Sequence, residues 1–316
     1  MPSPVATRRC AENGSSSMPR NTQSPAQVSQ YLGRRNSKRI DDARERSTVR
    51  PVANSIQLVY SLLQRLRSLR HRFWYGVSER VGWTRGEYHE TPAGRLPALA
   101  FEQTQRIAAL QGRYQVKFEL RLNSATSVNN YEYLDVLDRA WSGSGAARPN
   151  GGVLCDIGCA SFWYAAALHA FFAPREMVGV EVEGHRLFRD GRTRIDYASG
   201  YVADVPNARF LVADYARCEL PADIVTAWFP FLTAESILAW RLPLSLLVPH
   251  QLFRRIYHNL RPAAHFVMAN HGLHEARVGQ ELCAAAGLVR RFACAEPGVL
   301  SGFRTEPVIL SCWGRA

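Results

Sequence analysis

Apolar residues Ile56, Val59, Leu62, Leu63, Leu66, Leu69 and Phe73 recur every three or four positions, which places them on one stripe of a helix. Gln57, Ser61, Gln64, Ser68 and His71 fill the opposite face, with Arg65 and Arg72 flanking the stripe on one side and Arg67 on the other. A stripe of this width packs on its own domain or on a partner, and the same pattern also suits peripheral membrane contact through residues 53–75. A turn-rich stretch follows from Gly76 to Pro97. Helical patterning resumes through Leu99, Ile107, Leu110 and Tyr114, and again through Tyr131, Leu134, Leu137 and Trp141, predicting cap helices over 96–149 that form part of a substrate lid. The run from Ser142 to Gly152 breaks all periodicity.

Beyond it strand and helix alternate. Strands are expected near Val153–Ile157, Met177–Glu181, Phe210–Ala213, Ile224–Trp228 and His265–Ala269, with a last pair near Val289–Cys294 and Val308–Trp313. Helices are expected near 164–172, 187–201, 250–260 and 275–286. This alternation predicts an α/β domain over 150–316, with a mostly parallel sheet of about seven strands covered on both faces and ending in an antiparallel hairpin.

Composition changes the picture at the N-terminus. Residues 1–50 are rich in Ser, Pro, Asn, Gln and Arg, which predicts a disordered leader, and residues 51–95 read as an amphipathic helix and turn-rich linker. The net charge of +12 is uneven: +6 lies in residues 1–50, +4 in 51–95 and only +2 in 96–316. A nearly neutral body behind a basic leader disfavours nucleic acid as its partner. No apolar run is long enough to span a bilayer or to serve as a signal peptide, so a cytoplasmic location is expected. The seven cysteines form no CxxC pair with matching histidines, so neither a disulfide framework nor a metal site is expected.

In an open α/β sheet, ligands sit at the carboxyl ends of the strands. The first strand ends as Val153-Leu-Cys-Asp156-Ile-Gly158-Cys-Ala160-Ser-Phe162-Trp-Tyr164, an acidic residue followed by a turn of small residues into a helix. The dinucleotide pattern GxGxxG and the lysine of a P-loop are absent. Glu181 closes the second strand, where a carboxylate could accept hydrogen bonds from a ribose diol, and Asp214 follows the third, where one could accept from an exocyclic amine. Each acid could equally serve as a helix cap or a turn residue. The gaps of 25 and 33 residues between the three acids leave room for one helical crossover each.

In order and spacing these residues resemble the cofactor-binding half of class I, Rossmann-like S-adenosylmethionine-dependent methyltransferases, over about residues 150–316. The usual first-strand motif there is acidic-x-Gly-x-Gly-x-Gly. Asp156 and Gly158 match it, while Ala160 and Phe162 stand where glycine is usual, Phe162 adding bulk beside the expected methionine moiety. The resemblance implies that Asp156, Gly158 and Ala160 belong to a loop holding the methionine part of S-adenosyl-L-methionine. It implies further that Glu181 binds the ribose hydroxyls and Asp214 the adenine amine.

The fourth strand ends in Trp228-Phe-Pro-Phe231, which lacks the polar residue of the amino-methylating branch and offers an aromatic lip for an apolar or aromatic substrate, unless these residues are core. After the fifth strand come Asn270 and His271, with His271 a candidate base, Asn270 a hydrogen-bond donor and Glu275 placed to orient the imidazole; ordinary turn chemistry is the alternative. Arg189, Arg192, Arg194, Tyr197 and Tyr201 read as a solvated helix face or as a rim for an acidic substrate. The expected function is methylation of a small molecule. The alternatives are a catalytically silent binding or scaffold protein, and a nucleic-acid-directed methyltransferase using the basic leader.

Overall fold

The computed structural model describes residues 50–300 and 307–316, with side chains from residue 60 onward. The chain divides into two units, Met1–Ser55 and Ile56–Ala316, of which the second is compact. The expected leader lies, but for its last residue, outside the described residues. The sheet and the helices that cover it belong to the second unit.

Seven strands form one sheet: β1 (Val153–Ile157), β2 (Glu176–Glu181), β3 (Ala208–Val212), β4 (Ala222–Trp228), β5 (Leu260–His271), β6 (Leu288–Glu296) and β7 (Val308–Arg315). Their order is β3-β2-β1-β4-β5-β7-β6. The first five run parallel, and β7 enters antiparallel between β5 and β6. The architecture is therefore the Rossmann-like α/β sheet with an antiparallel carboxyl-terminal pair that the alternating pattern predicts. From β1 the chain winds outward through β2 and β3, then crosses back to β4, so the switch point lies beside the carboxyl ends of β1 and β4.

Both faces are covered, which is why the central strands are continuous apolar runs. On one face Leu154, Met177, Ile224, Val267 and Leu310 pack under α3 (Ser124–Ser144) and α4 (Ala165–Phe172). On the other, Cys155, Val178, Val225, Phe266 and Met268 pack under α7 (Pro249–Asn259) and α8 (Gly272–Ala285). The helix α3 is buried nearly all round, with Tyr131, Leu134 and Leu137 fully inside. It is a layer of the core rather than a lid. Its acids are matched in place: Asp135 pairs with Arg106 and Arg139, and Glu132 accepts the backbone N–H groups of Val299 and Leu300.

Three elements differ from the sequence pattern. The helix expected over 187–201 begins only at Arg194, giving α5 (Arg194–Ala203), because Asp196 and Thr193 close a capping box and a Leu187–Thr193 bridge holds the preceding residues in a loop. A short α6 (Ala234–Ala239), capped by Thr233, interrupts the crossover from β4. The first helix, α1 (Arg50–Val81), runs as far as Val81, into the start of the stretch assigned to turns, and it is turned the other way round. Its polar side meets the body: Tyr60 and Gln64 donate to Glu235, Ser68 accepts the N–H of Leu244, and Tyr75 donates to the Val182 carbonyl. The apolar stripe faces outward.

Residues 84–90 form a strap between α1 and α2 (Phe101–Tyr114). The buried Asp196 carboxylate accepts from the backbone N–H groups of Arg85 and Gly86 and from the Thr84 hydroxyl. Glu90 accepts from Tyr201 of α5 and from Thr126 of α3. Gly200 sits beneath the strap, where a Cβ would lie 1.6 Å from the Tyr88 carbonyl oxygen.

Candidate functional site

The loop leaving β1 has three left-handed residues in alternation, Gly158 (φ 65°), Ala160 (φ 49°) and Phe162 (φ 53°). Glycine adopts this conformation without cost, whereas each L side chain in it costs about 1–2 kcal/mol. The backbone path of a glycine loop is thus kept at positions occupied by Ala and Phe. Packing holds Phe162 there: its ring is fully buried, and a Cβ at Gly179 of β2 would meet it at 2.5 Å. The bulk expected beside a methionine moiety goes instead into the core. The N–H groups of Gly158 and Cys159 point to the Val180 carbonyl, at 2.8 and 3.3 Å. A Cβ on Gly158 would meet nothing within 4 Å, so the cleft is open beside it.

The three strand-end acids have different surroundings. Asp156 is fully buried, accepting from the Tyr164 hydroxyl at 2.6 Å and from Thr226 of β4, so it braces the loop to the sheet. Burial pushes its carboxyl up to about 7, against the pull of those two hydrogen bonds. Glu181 accepts from the N–H groups of Ala160 (2.9 Å) and Glu183 (3.0 Å) and pairs with Arg194 at 3.3 Å. Arg194 also reaches Glu183 at 3.1 Å and is itself only 3% exposed, so it belongs neither to a solvated face nor to a rim. Asp214 keeps a third of its side chain exposed while accepting the N–H of Ala216 and pairing with Arg217. Tyr75 of α1 stands over this end of the sheet; burial, then the nearby charges of Glu79, Glu183, Asp214 and Glu181, push its phenol up to about 12.

Beside the switch point the strand ends carry a continuous row of aromatic rings. Tyr133 of α3 contacts Trp163 edge-on at 5.0 Å, stacks on Tyr164 at 4.6 Å and meets Trp228 at 4.3 Å. Trp228 meets Phe229, and Phe229 stacks on His271 at 3.9 Å. Phe229 holds a left-handed backbone (φ 56°) that lays its ring against the imidazole, a strained residue at a strand end. Asn270 lies on the opposite face of the sheet from His271, buried toward Gly279 of α8, and among the described residues neither its carboxamide nitrogen nor its oxygen has a hydrogen-bond partner. Glu275 accepts the backbone N–H of His271 at 3.0 Å.

The structure therefore brings Gly158, Ala160, Glu181 and Asp214 to one edge of the sheet and sets Asp156 beneath them, with His271 at the far end of the aromatic row. It separates Asn270 from them. Tyr75 and Tyr133 join the site although nothing in their sequence neighbourhood assigns them to it, and Arg194 joins it as a buried partner of Glu181 rather than as a rim residue. A separate cavity of about 440 Å³, lined in part by Lys117, Arg121, His169 and Tyr201, lies against α4 and the carboxyl end of α5 rather than at the strand ends. Among the described residues no helix is long and apolar enough to cross a membrane.

No family model and no curated protein matches this sequence. Solved structures do. A methyltransferase from Pyrococcus furiosus aligns at a TM-score of 0.43 and 13% identity, covering 68% of this chain and 99% of that one. A SAM-dependent methyltransferase from Aquifex aeolicus aligns at 0.41 and 14% identity, over 56% and 88% of the two chains. An S-adenosylmethionine-dependent methyltransferase from Clostridium acetobutylicum aligns at 0.41 and 7% identity, over 68% and 99%.

Proposed function

We propose that the protein transfers a methyl group from S-adenosylmethionine to a small, planar, largely apolar acceptor. The observation that carries this reading is the alternation of left-handed residues at 158, 160 and 162, on the end of the strand beside the switch point. Those positions favour glycine, yet the path persists where the side chains oppose it. Carboxylates at the ends of β2 and β3 supply the other two contacts.

The residues fit the cofactor. The space beside Gly158 would take the methionine end, and the Asp214 carboxylate, one third exposed, can accept from an exocyclic amine. Glu181 Oε2 has one partner, the Ala160 N–H, and so retains capacity for a ribose hydroxyl, while Oε1 is taken by Glu183 and Arg194. Bound there, the cofactor supplies an electrophilic methyl group on a sulfonium. The protein's task is then positioning and exclusion of water. Tyr133 and Trp228 are core, and the partly exposed rings of Trp163 and Phe229 at the row's margins would stack a flat acceptor, while the His271 imidazole takes a proton from an acceptor that must lose one. Asn270 has no part in this reading, because its carboxamide faces α8.

A second reading rests on Glu181 and Arg194. With the ribose acceptor already paired to a buried guanidinium, the fold could bind a ligand without turning it over. Calorimetric titration with S-adenosylmethionine and with its demethylated product separates the cases. Saturable binding that weakens at least tenfold in Asp214→Ala, followed by turnover of a flat aromatic acceptor, is expected. Binding without turnover across such acceptors favours the silent reading, and no binding by the folded protein refutes both.

A further inference from the structure

The outward face of α1 is a built surface rather than scattered exposure. Leu62, Leu63, Leu66, Leu69, Phe73 and Trp74 stand 53–63% exposed along it, and Val81 and Trp83 continue the strip. An amphipathic helix normally turns its apolar stripe to the core. Here the docked side is the polar one, and the hydrogen bonds from Tyr60, Gln64 and Tyr75 and to Ser68 fix that orientation. His71, at the centre of the docked side, is buried. Exposed large apolar side chains in contiguous array mark an interaction surface.

Charge identifies the occupant. Residues 56–83 hold five arginines and a single acidic residue before Arg80, Glu79. Arg65, Arg67, Arg70 and Arg72 are exposed beside the apolar strip, whereas Glu79 is only partly exposed and accepts the N–H of His185. Residues 1–50, which lead into this helix, add +6. A second copy of the same face would bring two arginine rows together with no carboxylates to offset them. An acidic bilayer surface supplies both what the leucines need and what the arginines need, with the stripe sunk into the acyl boundary and the guanidinium groups at headgroup level. From Tyr60 to Val81 the helix is about 33 Å long at 1.5 Å per residue, and it would lie flat in the interface.

We propose that α1 seats the protein on anionic lipid membranes through the strip Leu62 to Trp74, its polar side remaining docked on the domain. This does not depend on the methyl-transfer reading. The test is co-sedimentation of the full chain with vesicles of phosphatidylcholine alone and of phosphatidylcholine with 30% phosphatidylserine. The expected result is binding to the anionic vesicles that falls with added salt, by about five-fold for each arginine screened from the lipid charge. A Leu66→Gln, Leu69→Gln, Phe73→Gln variant, changed only at exposed positions and checked for unaltered circular dichroism, should bind at least tenfold more weakly. Equal binding by that variant would assign the affinity to charge elsewhere in the chain and overturn the proposal. So would absence of binding by the full chain, or a dimer in solution that the same variant dissociates and that vesicles do not compete for.

Discussion

Gly179→Ala places a methyl group against the Phe162 ring, and its effect should change sign when that ring is removed. Built on the present backbone, the new Cβ lies 2.5 and 2.7 Å from two ring carbons and 2.9 Å from the Cys159 sulfur. The ring is fully buried and cannot swing into solvent, so the strand must shift. Overpacking of this kind costs about 1–3 kcal/mol, against about 0.5–1 kcal/mol regained by replacing glycine inside a strand. In a Phe162→Ala background, itself about 3–5 kcal/mol less stable, the same methyl enters the vacated space. There, once the Cys159 sulfur at 2.9 Å yields by a few tenths of an ångström into the same space, it should stabilise by about 1 kcal/mol, from strand preference and one buried methyl group. The coupling across the cycle is then about 1–3.5 kcal/mol, above the roughly 0.5 kcal/mol expected of independent sites. Urea unfolding of the four proteins measures it. Additivity across the cycle would refute the placement of Phe162 and return its ring to the cleft beside Gly158.

Three more outcomes are expected, one in the same loop, one at the end of β1 beneath it and one at the strap. Ala160→Gly should stabilise by about 0.5–1 kcal/mol in urea unfolding, where glycine at an ordinary position would destabilise, because relief of the left-handed strain exceeds the added unfolded-state entropy. Asp156 is raised from its ordinary 3.8 to about 7, so the folded state holds the proton longer, and this group's contribution to stability falls as pH rises from about 4 to 7. The parent should therefore lose about 2–3 kcal/mol more than Asp156→Asn between pH 5 and pH 8, and equal losses would contradict this. Asp196 runs the other way. Burial alone would raise it, but hydrogen bonds from Thr84, Thr193 and Arg85 outweigh burial and hold it at about 2, so its contribution is present above pH 4 and lost as pH falls to 2. Acid unfolding of Asp196→Asn should be shallower by about 2 kcal/mol over that window.

The central strands were legible because parallel strands buried on both faces leave short, unbroken apolar runs between turn residues, as at Val153–Ile157 and Ala222–Trp228. The acids closing β1 to β3 were legible for a related reason, since strand ends are where such a sheet exposes polar groups. Periodicity told that α1 has an apolar side but not which side meets the body, because that is decided by partners such as Glu235 and Val182, more than a hundred residues away. Tyr133 was hidden on a helix buried nearly all round, where no stripe separates one face from another. Arg194 read in sequence only as one of several basic residues on a helix face or rim: nothing local links it to Glu181 and Glu183, and only the fold encloses the three together. Ala160 and Phe162 looked like departures from a glycine pattern, whereas both keep the backbone conformation that glycine would adopt, and packing against Gly179 holds Phe162 there.

The strap of residues 84–90 has a bearing on the order in which the molecule forms. Its anchors, Asp196 and Tyr201, lie more than a hundred residues further along the chain, on a helix that packs only once β2 and β3 are in place. Such long closures are entropically late. During synthesis α1 and the strap leave the ribosome before any of the surfaces that orient them exist, so the greasy helix must wait, undocked, while the sheet behind it is made. A segment made before the sheet thus settles after it. In pulse-labelled hydrogen exchange the amides of Arg85, Gly86 and Tyr88 should gain protection after those of β1 and β4.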